Sequence, residues 1–261
     1  MSEGIRELRL YGHRGASALE PENSLAAFAR ALDDGANALE LDVHRSADGH
    51  FVVAHDPDGR RTAGTPERIR ELGLARIKAW RLGPGGGATV PTLAEVLEAF
   101  PDVPMSIDLK PDDPCAVPDL LETLARHGAE ARVTLASFST RVMRRIRGLG
   151  YRGPTALSRP EVAALRFLPT PLARRHIWGQ AAQVPLRSGP VRLDVRSFLS
   201  RCRALGLRAD FWVVNDPQRA RALLDAGATG IMSDDPAAIA PIFRERERLA
   251  GTTLDTAHLN G

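Results

Sequence analysis

Little in this sequence speaks for a disulfide scaffold, and nothing in it reads as a membrane span. Only two cysteines occur among 261 residues, Cys115 and Cys202, far apart and without CxxC or zinc-ligand spacing. They read as reduced thiols, which excludes a disulfide-dense fold and a cysteine-built metal site. No apolar run approaches the roughly 18 residues that a spanning helix needs, and the opening MSEGIRELRL lacks the apolar centre of a secretion signal. The expected setting is cytoplasmic, without stable membrane insertion. An excess of one charge is missing too: 35 Lys and Arg face 32 Asp and Glu, a formal net charge of +3. The arginines lie along segments of helical period rather than among aromatics. That argues against a nucleic-acid partner and leaves room for a local phosphate pocket.

What is present is a steady alternation. The runs LRLY, NALELDV, VPMSIDL, RVTLAS, PTALS, AAQVP, RADFWVV and ATGIMS have strand length, and segments of helical period such as ENSLAAFARALDDG, TRVMRRIRGLG and PQRARALLDAG lie between them. About eight strand–helix units in a chain of this length predict a single domain over 1–261, an α/β fold of the (β/α)8 TIM-barrel type. A doubly wound open sheet is the rival, but its glycine-rich first turn is replaced here by His13-Arg14-Gly15. Residues 56–92 break the rhythm. They are polar and rich in Pro and Gly, with a weak helix in TPERIRELGLARIKAW, and read as an insertion over one end of the barrel.

The densest chemical signal is NALELDVHRSADGHFVVAHD. On a strand Glu40 and Asp42 share one face, while Leu39, Leu41 and Val43 share the other. Paired carboxylates repel unless a cation or proton lies between them, and oxygen ligands suit Mg²⁺ or Ca²⁺. SIDLK repeats the device: Asp108 supplies a third carboxylate, and Lys110 on the same face an ammonium for an anionic substrate. His13 and His55 each close a strand-like run and are the candidates for a base and an acid. Arg14 offers a planar fork to phosphate. Asn23, in PENS, either caps the next helix or supports the site. His44, His50, His127, His176 and His258 lack such placement and read as surface or packing residues.

Taken together, HRGASALEPENSLAAF, GANALELDVHRSADGHFVVAHD, VPTLAEVLEAF, SIDLK, FWVVND and GATGIMSDDP resemble the glycerophosphodiester phosphodiesterase family, in that family's order. The resemblance implies a (β/α)8 barrel with a small insertion after the second strand. It implies one divalent cation held by Glu40, Asp42 and Asp108, acid–base work by His13 and His55, phosphate contacts from Arg14 and Lys110, and a pocket lined by Trp212. Asp108 stands where the family more often has Glu, and Ser233-Asp234 where it has Thr-Asp. The implied reaction is hydrolysis of a small-molecule glycerophosphodiester to glycerol 3-phosphate and an alcohol. Two alternatives stand beside it: a lysophospholipase D acting on lysophospholipids, and a non-catalytic barrel that binds a phosphorylated ligand.

Overall fold

The computed structural model describes residues 7–83, 86–110 and 112–258. In chain order the strands are β1 (Arg9–His13), β2 (Ala38–Arg45), β3 (Phe51–Val53), β4 (Met105–Leu109), β5 (Val133–Ala136), β6 (Ala181–Pro185), β7 (Arg187–Ser188), β8 (Val191–Arg192), β9 (Arg208–Trp212) and β10 (Gly230–Ser233). The helices are α1 (Leu25–Asp33), α2 (Arg60–Ala63), α3 (Leu74–Lys78), α4 (Leu93–Ala99), α5 (Val117–Arg126), α6 (Thr140–Gly148), α7 (Arg159–Phe167), α8 (Thr170–Ala173), α9 (Arg196–Ala204), α10 (Pro217–Ala226) and α11 (Pro236–His258).

Seven strands pair in parallel in the order β5-β4-β2-β1-β10-β9-β6. The gap between β5 and β6 is spanned by Thr155 and Ala156, which form single parallel bridges to Leu135 and Ala181. The TIM-barrel expectation holds, with its strand PTALS shortened to two bridging residues. Pro154 has no N–H to give a ladder, and Ser158 already caps α7 through a capping box with Glu161.

Alternation along the strands separates two interiors. Leu39, Leu41, Val43, Ile107 and Leu109 point outward and are fully buried under the helices. Each such side chain contributes roughly 1.5–3 kcal/mol by leaving water. Inside the barrel the filling is partly polar. Asp210, wholly buried, accepts from Tyr11 Oη at 3.2 Å and Thr229 Oγ1 at 3.0 Å, and pairs with Arg208 Nη2 at 3.1 Å. Glycine at 230 makes room for this plug, since a Cβ there would stand 2.4 Å from Asp210 Oδ1.

The helices start where their caps dictate. Ser24, rather than Asn23, caps α1: its Oγ accepts from the Ala27 amide at 3.1 Å. Thr92 and Glu95 form a capping box on α4, and Asp216 with Pro217 opens α10. Between β2 and α4 the chain leaves the barrel. β3 pairs antiparallel with the end of β2, and the segment beyond it gathers Val52, Ile69, Ile77, Trp80, Leu82 and Val90 into a small core of its own. The helix expected in TPERIRELGLARIKAW is broken into a 3₁₀ turn at Ile69–Glu71 and α3, because Leu72 and Gly73 are extended between them.

Candidate active site

Strand register alone brings four of the expected residues together. His13 is the lateral partner of Glu40, and Asp42 is the partner of Asp108 on the next strand. All four reach the mouth at the C-terminal ends of the strands, where TIM barrels carry their chemistry. After β1 the chain turns through two left-handed residues, Arg14 at φ 56° and Gly15 at φ 85°. A non-glycine residue held there costs on the order of 1 kcal/mol, and such strain collects at functional loops. Here it aims the Arg14 amide at Glu40, 2.9 Å from its carbonyl and 3.1 Å from Oε2. Gly15 has no substitute: a Cβ would lie 2.5 Å from the Ala27 carbonyl carbon. Asn23, also left-handed at φ 56°, donates from Nδ2 to Asp42 Oδ2 at 3.2 Å, so it supports the site.

Positive and negative groups interleave across the floor. Lys110 Nζ is 2.6 Å from Asp42 Oδ1 and 3.6 Å from Asp108 Oδ2, and Arg14 Nε is 3.3 Å from Asp42 Oδ2. Burial pushes Asp42 up, but Lys110 and Arg14 outweigh it and hold the carboxyl below its usual range. Glu40 and Asp108 are less compensated. Burial, and then the Asp42 charge, lift Glu40 to about 7; burial lifts Asp108 to about 7 against the pull of Lys110. Asp108 Oδ1 is buried and has no hydrogen-bond partner among the described residues. Among the described residues no three His, Cys, Asp or Glu side chains converge tightly enough to hold a metal as they stand. The carboxyl set is nevertheless short of positive charge, and its all-oxygen donors fit a hard divalent cation.

Each histidine is held by its own carboxylate. His13 Nδ1 lies 2.7 Å from Asp234 Oδ1, and Ser17 Oγ and Asn215 Nδ2 fix that carboxylate at 2.9 and 2.8 Å. Burial opposes a charge on His13, yet Asp234 and Glu40 prevail and raise its pKa. Burial likewise opposes ionisation of Asp234, but the hydrogen bonds from His13 and Asn215 bring it down to about 2. On the other side His55 Nδ1 lies 2.8 Å from Asp56 Oδ1. Both rings therefore carry their carboxylate on Nδ1 and leave Nε2 for other work. Arg61 ties the second histidine to the clamp: its Nε meets Asp56 Oδ2 at 2.7 Å, its Nη2 meets Glu22 Oε1 at 2.7 Å, and Glu22 holds Arg14 Nη1 at 3.1 Å.

Trp212 closes β9 at the same mouth, with its ring edge-to-face against Phe138 at 6.0 Å. Of the two parts offered to His44, surface or packing, it takes the packing one. It is buried on the Glu40–Asp42 face of β2, and its Nε2 lies 3.0 Å from the His55 carbonyl oxygen, where it anchors the loop. The side chain of His258 lies outside the described residues. The pattern reading missed Asp234, Asp56, Glu22, Arg61 and Phe138 as site residues. Asp56 and Asp234 carried a signal, since each is an acid beside a strand end. Arg61 and Phe138 carried none.

The sequence profile of the glycerophosphoryl diester phosphodiesterase family matches residues 13–238, most of the chain and every candidate site residue above. The chain belongs to that family. This phosphodiesterase is 27% identical to the glycerophosphodiester phosphodiesterase of Caldanaerobacter subterraneus subsp. tengcongensis, over 89% of its own length and 96% of the relative's. It is 26% identical to human lysophospholipase D GDPD1, over 86% and 82% of the two chains. Its fold is that of the Oleispira antarctica phosphodiesterase solved with the product sn-glycerol-3-phosphate, at a TM-score of 0.74 and 23% identity, covering 90% and 96%. Family membership removes the non-catalytic barrel as a reading.

Proposed function

We propose that this chain cleaves glycerophosphodiesters to glycerol 3-phosphate and an alcohol, with His13 and His55 as the acid–base pair. The observation that carries the reading is the symmetry of support. Two histidines, each oriented by a carboxylate on Nδ1, flank one floor of buried carboxylates that also bears Arg14 and Lys110. A site that merely bound a phosphorylated ligand would need the cations but not the paired proton carriers. Glu40, Asp42 and Asp108 would hold one Mg²⁺ or Ca²⁺. When bound, such an ion supplies Lewis-acid stabilisation of charge on the phosphoryl oxygens.

The chain's own groups account for the remaining work. Arg14 and Lys110 place donors over the phosphate as negative charge builds on its oxygens. One histidine takes the proton of the attacking hydroxyl, from water or from the substrate's glycerol. The other returns a proton to the leaving alcohol. His13, whose affinity for a proton is raised, suits the donor's part. Trp212 and Phe138 wall the pocket beyond.

The test is hydrolysis of glycerophosphocholine with EDTA, Mg²⁺ or Ca²⁺, beside His13→Ala and His55→Ala. Release of glycerol 3-phosphate that needs the metal, and that falls by roughly 10²–10⁴ in each variant, is expected. Near-normal turnover of both variants would refute the proton roles.

A lysophospholipid is the second substrate reading. A recess of about 250 Å³ beside Lys110, lined by Leu109, Asp112, Ser137, Phe138 and Ser139, opens under an exposed aromatic, and a relative carries that activity in its name. Rates on lysophosphatidylcholine and glycerophosphocholine decide between the two.

A further inference from the structure

The small net charge conceals a division of the molecule. Residues 131–193 contain twelve arginines and a single acidic residue, Glu161, a net +11 in a chain that totals +3. The rest of the chain is correspondingly acidic, at −8. Glu161 contributes nothing to the surface. It is 2% exposed and is enclosed by Arg147, by Ser158, and by the backbone amides of Trp178 and Gly179. Arg144, Arg145, Arg174 and Arg175 are exposed and form no ion pair among the described residues. The charge is held together in space as well, because α7 packs against α8 and against the 3₁₀ turn Arg174–His176 that follows it.

Bulky apolar side chains crowd into the same quarter of the chain. Of the eight large hydrophobic residues exposed among the described residues, Phe138, Leu149, Phe167, Leu172 and Trp178 belong to it, and Trp178 is 65% exposed. Between α6 and α7 lies a cavity of about 510 Å³, lined among others by Met143, Arg144, Ala164, Phe167, Leu168 and Trp178. The Arg166 guanidinium lies 5.3 Å above the Phe167 ring, a cation lying across an apolar surface.

We propose that this face docks the protein onto an anionic lipid bilayer. Phe167, Leu172 and Trp178 would enter the headgroup–acyl boundary, and Arg144, Arg174 and Arg175 would lie over the lipid phosphates. Arginine combined with tryptophan, phenylalanine and leucine is the composition that suits this interface. A nucleic acid would reward the arginines and could stack bases on Phe167 and Trp178, but it gives the aliphatic Leu172 nothing apolar to enter, so the bilayer is favoured. No helix of the described chain is long and apolar enough to cross a membrane, so the contact is peripheral. The face is also joined to the catalytic mouth. Arg159, the first residue of α7, lies 5.3 Å from the Phe138 ring centre, and Phe138 meets Trp212. Eight residues later α7 ends at Phe167, a span of about 12 Å at the helical rise. Docking would therefore hold the mouth beside the surface from which lipid-derived phosphodiesters arise. The proposal stands on charge and exposure, and does not depend on which diester is cleaved.

Co-sedimentation of the full chain with vesicles tests it. Phosphatidylcholine vesicles are compared with vesicles containing phosphatidylglycerol, at low and at physiological salt, for wild type, Arg174→Gln/Arg175→Gln and Trp178→Ser. Thermal melting verifies that each variant is folded, and glycerophosphocholine turnover is followed in parallel, so that failure of docking is separable from failure of the catalytic reading. Binding to the anionic vesicles alone, weakened by salt, is expected. Each arginine near such a surface is worth about fivefold, so the double variant should lose roughly 25-fold. Trp178→Ser should lose roughly tenfold, with turnover of the soluble substrate unchanged in both. Equal binding to neutral and anionic vesicles, or variants that bind as wild type does, would overturn the proposal. So would tighter binding to a single-stranded RNA oligonucleotide that ignores Trp178→Ser.

Discussion

Replacing Asp234 with Asn removes one charge from the His13 pair while keeping nearly the same shape. In the folded protein Asp234 is brought from its ordinary 3.8 down to about 2, chiefly by His13 and Asn215 working against burial. At 1.36 kcal/mol per unit, that difference corresponds to about 2 kcal/mol of folding stability. The raised affinity of His13 for its proton describes the same pair and is not added again. The sign fixes the pH window. A carboxyl depressed on folding stabilises above its unfolded value and loses that contribution as pH falls through the folded one. A histidine raised on folding stabilises below 6.5 and loses its contribution as pH climbs through its folded value. The pair is therefore strongest between about pH 4 and 6.5. In a barrel of this size 2 kcal/mol is worth about 5 °C in Tm. Differential scanning fluorimetry should find Asp234→Asn melting about 5 °C below wild type near pH 6. The gap should narrow toward both acid and alkaline pH, and kcat should fall by roughly 10²–10³-fold because the imidazole loses its orienting partner. A Tm gap that stays flat with pH, or a kcat close to wild type, would refute the assignment of Asp234 as the partner that charges and orients His13.

Other expectations follow from the same geometry. Gly15→Ala forces a Cβ into the Ala27 backbone at a positive φ, and should destabilise by about 2–4 kcal/mol in a urea titration. Phe28→Ala empties a wholly buried position under β1 and should cost about 3–5 kcal/mol, leaving KM for the diester unchanged wherever the variant is folded. Arg61→Ala unties Glu22 and Asp56 together; since Arg61 is half exposed, kcat should drop roughly tenfold with little change in Tm, and an unchanged kcat would show that the link is ornamental to catalysis. Asp108→Glu lengthens one carboxylate of the floor, and should alter the ratio of Mg²⁺- to Ca²⁺-supported turnover rather than abolish activity. A ratio identical to wild type would remove Asp108 from the metal reading.

Much of this protein was legible because strand chemistry is local. A period of two put Glu40 and Asp42 on one face and Leu39, Leu41 and Val43 on the other, and the barrel kept that division. The alternation of short apolar runs with helical segments specified a (β/α)8 barrel, since parallel strands joined by helices have few other ways to bury both faces. The sequence also determined the left-handed loop at Arg14-Gly15, which requires a glycine, and the place of His13 at the end of β1, while His55 falls two residues past the end of β3. Closure and pairing were decided only in three dimensions. Pro154 and the capping role of Ser158 cut the strand between β5 and β6 to two residues, a competition that no periodicity displays. Asp234 reaches His13 across 221 positions because β10 lies beside β1, and no local pattern encodes that neighbour. Arg61 reads as an ordinary surface cation until the segment after β3 folds back over Glu22. Arg144, Arg174 and Arg175 look scattered along the chain, and come to one face only when α6, α7 and the turn after α8 pack around one cavity. Period and turn chemistry act over a few residues and can be read directly; charge partners and surface patches depend on the register of strands far apart in the chain, which tertiary packing alone sets.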